Sequence, residues 1–102
     1  MSAKRYSIGS TVWPGLSKII EEAGEVQQVA GKLIGNGGAD DHWDGTKLRP
    51  RLEDEIADLT AACIFFTATN HLDRDRMDLR ISRKLALFNE WHSKELAKGD
   101  AP

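Results

Sequence analysis

The chain has 102 residues, of which 40% are hydrophobic and 29% charged, with a formal net charge of −2 and a pI near 5.9. That length is one domain's worth with a modest core, since so short a chain buries only about 60–65% of its unfolded surface. The charge excludes dedicated binding of a nucleic acid polymer, which needs a basic face. The single cysteine, Cys63, excludes an internal disulfide, and no Cys/His cluster has zinc spacing.

The opening stretch MSAKRYSIGS lacks the apolar segment of a secretory leader. The longest apolar run is the six residues from Ala61 to Phe66, where a membrane span needs about 20. The expectation is a cytoplasmic protein without a membrane partner, with Cys63 a buried, inert thiol inside that run.

The first helix is predicted over Pro14–Ile34. Pro14 suits a first-turn position, where its missing N–H costs nothing. Ile19, Ile20, Ala23, Val26, Ala30, Leu33 and Ile34 recur at spacings of three and four, giving one apolar stripe. Gly35-Asn36-Gly37-Gly38 stops it, because glycine and asparagine readily take the left-handed cap conformation. The loop that follows, GNGGADDHWDGTKLRP, is rich in turn formers yet carries His42 and Trp43, which a plain spacer does not need. A second helix is predicted over Arg51–Asn70, with Leu52, Ile56, Leu59, Cys63 and Phe66 as its stripe. After the turn Asp73-Arg74-Asp75, a third runs over Arg76–Ala97, with Leu79, Ile81, Leu85, Phe88 and Trp91 as its apolar set and Trp91 in core or interface. The tail from Gly99 to Pro102 should fray.

No segment alternates with period two over a useful length, so a sheet is not expected. The predicted fold is all-α: a single domain over residues 1–102, with a core from 13 to 92, built as a helical hairpin plus a third long helix. Pairing with a second chain would complete a four-helix-type bundle, as a homodimer or homotetramer.

Carboxylates carry the chemistry. Glu22 and Glu25 lie three apart on the first helix, and Glu55 and Asp58 three apart on the second, so each pair projects from one face, beside the apolar stripe. Small residues at Ala23, Gly24 and Ala57 would let two antiparallel helices approach closely there. In a hairpin the four carboxylates then converge on one partly buried spot, where like charges repel and burial penalises each. Oxygen-only ligands of this kind select Mg²⁺, with Mn²⁺ able to substitute.

The stretch Glu21-Glu22-Ala23-Gly24-Glu25, followed by Glu55-Ile56-Ala57-Asp58, resembles the E-E-x-x-E … E-x-x-D signature of the MazG-like all-α nucleoside triphosphate pyrophosphohydrolases. LSKIIEEAGEVQQVAGKLI and RLEDEIADLTAACIFF are similar to that family's two metal-binding helices, and RISRKLALFNEWH to the helix that follows, so the likeness runs from about Trp13 to His92. One departure is the separation of Glu25 from Glu55 by 29 residues, at or slightly above the family's usual spacing and accounted for by the glycine-rich loop.

The resemblance implies hydrolysis of a nucleoside triphosphate to the monophosphate and pyrophosphate, with Glu22, Glu25, Glu55 and Asp58 as metal ligands. Glu21 would be a base or an orienting group, although it points about 100° from Glu22. Lys84, then Lys32 and Arg83, would contact phosphate. Trp13, His42 and Trp43 would meet the base, and Asn89 the sugar or base. Two alternatives remain open: the same site acting on phosphoribosyl-ATP, or a non-enzymatic helical interaction module whose acidic faces meet a basic partner.

Overall fold

A computed structural model describes residues 8–99. Three α-helices follow one another, α1 (Leu16–Gly35), α2 (Leu48–Thr69) and α3 (Arg74–Ala97), and no strand occurs among the described residues. None of the three is long and apolar enough to cross a membrane. The chain divides into two compact units between His71 and Leu72. The first holds α1 and α2; the second holds α3.

The helix starts differ from the sequence reading for local reasons. Pro14 lies outside α1. Gly15 caps it instead, at a φ of 95° that only glycine adopts freely. The Gly15 N–H donates to the Ile8 carbonyl at 3.0 Å, and a Cβ at this position would come within 2.9 Å of the Phe65 ring. The end of α1 is as expected: the Gly38 N–H folds back to the Leu33 carbonyl at 2.8 Å, with Gly37 at φ 65°.

α2 begins three residues before Arg51, so Pro50 sits inside its first turn, where no N–H is needed. Lys47 supplies no side-chain cap. Asp40 does so from across the loop, its Oδ1 accepting from the Arg49 N–H at 2.6 Å and its carbonyl from the Leu48 N–H at 2.8 Å. The loop itself is pinned at several points. Asn36 Nδ2 donates to the carbonyls of Ala39 and Asp41, and Lys47 pairs with Asp41, beside an isolated antiparallel bridge between the same two residues. Asp44 Oδ1 accepts from the N–H and hydroxyl of Thr46 at 3.0 and 2.6 Å. Those two hydrogen bonds, the side-chain one first, hold the Asp44 carboxyl below its ordinary range.

α1 and α2 pack along a seam that repeats every three and four residues. On α1 it runs Ile19, Glu22, Val26, Val29 and Leu33; on α2 it runs Leu48, Leu52, Glu55, Leu59, Ala62 and Phe66. Every one of these is buried or half-buried, and Leu48 is 0% exposed. This corrects the predicted stripes: Ile20, Ile34, Ile56 and Cys63 lie off the seam and are exposed. Spacing alone admits neighbouring stripes a hundred degrees apart, and the partner helix selects one. Nor do Gly24 and Ala57 bring the helices together as expected. A Cβ on Gly24 would meet nothing within 4 Å, and Ala57 is exposed. Beyond the seam, Asn70 Nδ2 donates to the Pro14 and Phe66 carbonyls at 3.0 and 2.9 Å, tying the end of α2 to the start of α1.

α3 is capped by Asp73, whose carboxylate accepts from the Arg76 N–H at 3.0 Å. It buries none of its residues fully, and Leu79, Ile81, Leu85, Phe88 and Trp91 stand about half-exposed. The frayed tail predicted at the end of the chain falls, apart from Gly99, outside the described residues.

Candidate functional site

Two of the seam positions are acidic. Glu22 on α1 lies between Ile19 and Val26, and Glu55 on α2 between Leu52 and Leu59, where a helical hairpin ordinarily places aliphatic side chains. Glu22, Glu55 and Asp58 offer carboxylate oxygens that all lie within 4.8 Å of one another, and Glu21, Glu22 and Glu25 form a second such group. Glu22 belongs to both and links the four carboxylates that the spacing singled out, with Glu55 and Asp58 in the first group and Glu25 in the second.

The electrostatics follow from that crowding. Burial, ahead of repulsion from Asp58, Glu25 and Glu21, pushes the Glu22 carboxyl above its ordinary range, with Lys18 opposing. Burial likewise raises Glu55, followed by the adjacent Glu25 carboxyl, which favours a shared proton, and by the charges of Asp58 and Glu22. Glu55 Oε2 is buried without a hydrogen-bond partner among the described residues. An orphaned buried carboxylate oxygen is costly to leave unsatisfied. An all-oxygen set of this spread could hold a hard divalent cation such as Mg²⁺ or Mn²⁺.

Beside the carboxylates a groove of about 350 Å³ opens between the two helices. Its lining combines the polar side chains of Lys18, Glu21, Glu22 and Asp58 with the apolar ones of Ile8, Ala61, Ala62 and Phe65. The lining is helical periodicity made visible: residues 18, 21 and 22 share one face of α1, and residues 58, 61, 62 and 65 one face of α2. Glu21 is exposed and pairs with Lys18, Oε2 to Nζ, at 3.3 Å.

The remaining predicted site residues of the hairpin lie apart from one another, save the neighbours His42 and Trp43. Trp13 stacks on Phe66 with ring centroids 5.9 Å apart, at the far end of α2 from Leu48. Eighteen residues of helix put about 27 Å between those ends. Trp43, 89% exposed, and His42, tilted against it at 5.4 Å, sit in the pinned loop at the Leu48 end. Trp13 and Trp43 therefore do not share one base site on this hairpin. Lys32 lies in the last turn of α1, where its charge complements the helix dipole. Arg83, Lys84 and Asn89 all lie on α3, in the second unit. Lys84 Nζ stands 5.9 Å from the Phe88 ring centroid, a cation–π distance.

Lys18 and the apolar lining of the groove were missed by the sequence reading. The signal was present: Lys18, Glu21, Glu22 and Glu25 follow i, i+3, i+4, i+7, the pattern of a single helix face. Compared with known proteins, the chain matches no family model, and no curated protein or solved structure matches it significantly.

Proposed function

We propose that the protein is a Mg²⁺-dependent nucleotide pyrophosphohydrolase that cleaves the α–β phosphoanhydride of nucleoside triphosphates, releasing the monophosphate and pyrophosphate. The observation that carries this reading is the pair of opposed acidic seam positions, Glu22 and Glu55, with Asp58 within ligand reach and one Glu55 oxygen left buried without a partner. A fold that needed only stability would place aliphatic side chains there. The E-E-x-x-E … E-x-x-D resemblance supplies the reaction type.

In this reading Glu22, Glu25, Glu55 and Asp58 hold the cation, and Mn²⁺ can replace it. When bound, a divalent cation supplies Lewis acidity toward phosphate oxygens and a more acidic water for attack at the α-phosphorus. The chain's own part is to fix four oxygens on two rigid helices and to keep the groove partly shielded from water. Glu21, beside Lys18 in the groove, is placed to orient a water or a phosphate. The exposed apolar faces of α1 and α2 (Ile20, Ile34, Ile56, Ile64) and of α3 are covered by further copies of the chain in a homodimer or homotetramer.

The test is pyrophosphate release from a panel of canonical and modified triphosphates, and from phosphoribosyl-ATP, with Mg²⁺ and with EDTA. Turnover should require Mg²⁺. Glu55→Gln should lower it by at least about 100-fold, the upper end of what even outer partners of a metal site contribute, while the far-ultraviolet circular dichroism spectrum is kept. A folded wild-type protein with no turnover on any of these substrates, and a melting temperature indifferent to Mg²⁺ against EDTA, would instead identify a helical interaction module.

A further inference from the structure

Lysine is ordinarily among the most exposed of side chains. Lys18 is not: its side chain keeps only 26% of its exposure, and it lines the groove. Among the described residues it is the one cation lining the groove. Its recorded ion pair is an i, i+3 contact with the exposed Glu21 at 3.3 Å. Such a pair contributes only a few tenths of a kcal/mol and is readily exchanged for a better anion.

Charge in the groove favours the exchange. Glu21, Glu22 and Asp58 face a single lysine there, so the empty groove is acidic and repels a polyphosphate. A divalent cation on the carboxylates removes most of that repulsion, and Lys18 is then left beside a neutralised cluster with its ammonium free to meet an anion. The same groove is also lined by the small residues Ala61 and Ala62 and by the apolar Phe65 and Ile8. The groove is thus amphiphilic, offering apolar and charged surface to one ligand.

We propose that Lys18 is a phosphate-binding residue of this site, holding the polyphosphate of a nucleotide against the carboxylate-held cation while the nucleoside lies along Ala61, Ala62 and Phe65. This rests on the pyrophosphohydrolase reading for its substrate, and it assigns to α1 a phosphate contact that the sequence reading sought on α3 and at Lys32. Lysine binds phosphate as a compact point charge, so position matters more than fork geometry and arginine should substitute in part.

The experiment is isothermal titration calorimetry on the full chain with two probes, Mg²⁺ alone and inorganic pyrophosphate at saturating Mg²⁺, for the wild type, Lys18→Met and Lys18→Arg. Lys18→Met should bind Mg²⁺ as tightly as the wild type or more tightly, having lost a like charge. It should bind pyrophosphate about 10- to 100-fold more weakly, the usual scale for one charge-assisted contact. Lys18→Arg should recover most of that loss, and steady-state kinetics should show the change chiefly in KM. Pyrophosphate affinity within about twofold of wild type in a folded Lys18→Met, or equal losses for Mg²⁺ and pyrophosphate, overturns the assignment and makes Lys18 a structural counter-ion. The two readings fail separately. A wild type that binds Mg²⁺ and pyrophosphate but hydrolyses no triphosphate sinks the enzyme and leaves Lys18 an anion contact. A wild type that turns over, with Lys18→Met binding pyrophosphate normally, sinks Lys18 alone. No binding of either probe by the wild type sinks both.

Discussion

At the scale of single residues, the decisive feature is a pair of carboxyls whose pKa values burial and crowding raise. Glu22 and Glu55 both have pKa values raised above the ordinary 4.5, burial being the first cause in each case. The sign of the linkage follows. A raised folded-state pKa means the folded protein holds its proton longer than the unfolded chain does. The stability this contributes is complete below about pH 4.5, and it is lost as pH rises through the higher folded-state value. The cation-free protein should therefore lose stability, relative to a Glu22→Gln/Glu55→Gln variant, as pH rises above about 4.5. Mg²⁺ at about a hundred times its Kd should restore about 2.7 kcal/mol to the wild type at neutral pH and none to the variant. Thermal melts of both proteins in EDTA and in Mg²⁺ across that range provide the check. Parallel curves for the two proteins would show that the carboxyl pair carries no strain.

At the scale of elements, α2 depends on a cap that lies eight residues before its first helical position. Lys47 immediately precedes the helix and offers nothing, whereas Asp40 receives the Arg49 N–H and, through its carbonyl, the Leu48 N–H. Among the described residues, Leu48 is the one large side chain with no exposure at all, so the same contact seats the first residue of the seam. Asp40→Ala should destabilise the protein by about 1 kcal/mol, the usual worth of an N-cap side chain, and Asp40→Asn should retain most of it. Chemical denaturation of the three proteins measures this directly. A loss under a few tenths of a kcal/mol for Asp40→Ala would mean that water serves the Arg49 N–H equally well. Glu55 is two turns further along α2, so a slackened first turn should also weaken Mg²⁺ binding.

At the scale of the whole molecule, each unit is short of buried apolar surface. Among the described residues, the hairpin's buried apolar side chains are Val29, Leu48, Ala62 and Phe66, and α3 buries none. Helices in water draw most of their stability from packing an apolar face, not from propensity. Large residues such as Ile34, at 81% exposure, and Ile64, at 62%, stand on the surface of the hairpin. Light scattering should give a mass of at least two chains, and the melting temperature should fall on dilution, as it does when folding and association are linked. Ile64→Glu places a charge on that face without touching the seam, and should shift the mass toward one chain. A monomer at about 10 μM with a dilution-independent melting temperature would exclude the bundle of several chains.

What could be read from the letters alone was whatever depends on spacing along one helix. Three helices, the stop at Gly35-Asn36 and the four acidic positions are all of that kind, because 3.6 residues per turn sets which side chains share a face before any partner is chosen. What only the tertiary structure decided was which face meets the other helix. Ile20 and Ile19 are equally apolar, as are Ile56 and Leu52, yet only Ile19 and Leu52 lie in the seam. Contact with α2 makes that choice for α1, and contact with α1 makes it for α2. The same choice turned Glu22 and Glu55 from surface acids into seam residues, drew Lys18 against the groove, and set Trp13 and Trp43 at opposite ends of the hairpin. Asp40 as a cap was illegible for a related reason: nothing in the local sequence shows that a loop will fold back over eight residues to reach the helix it precedes.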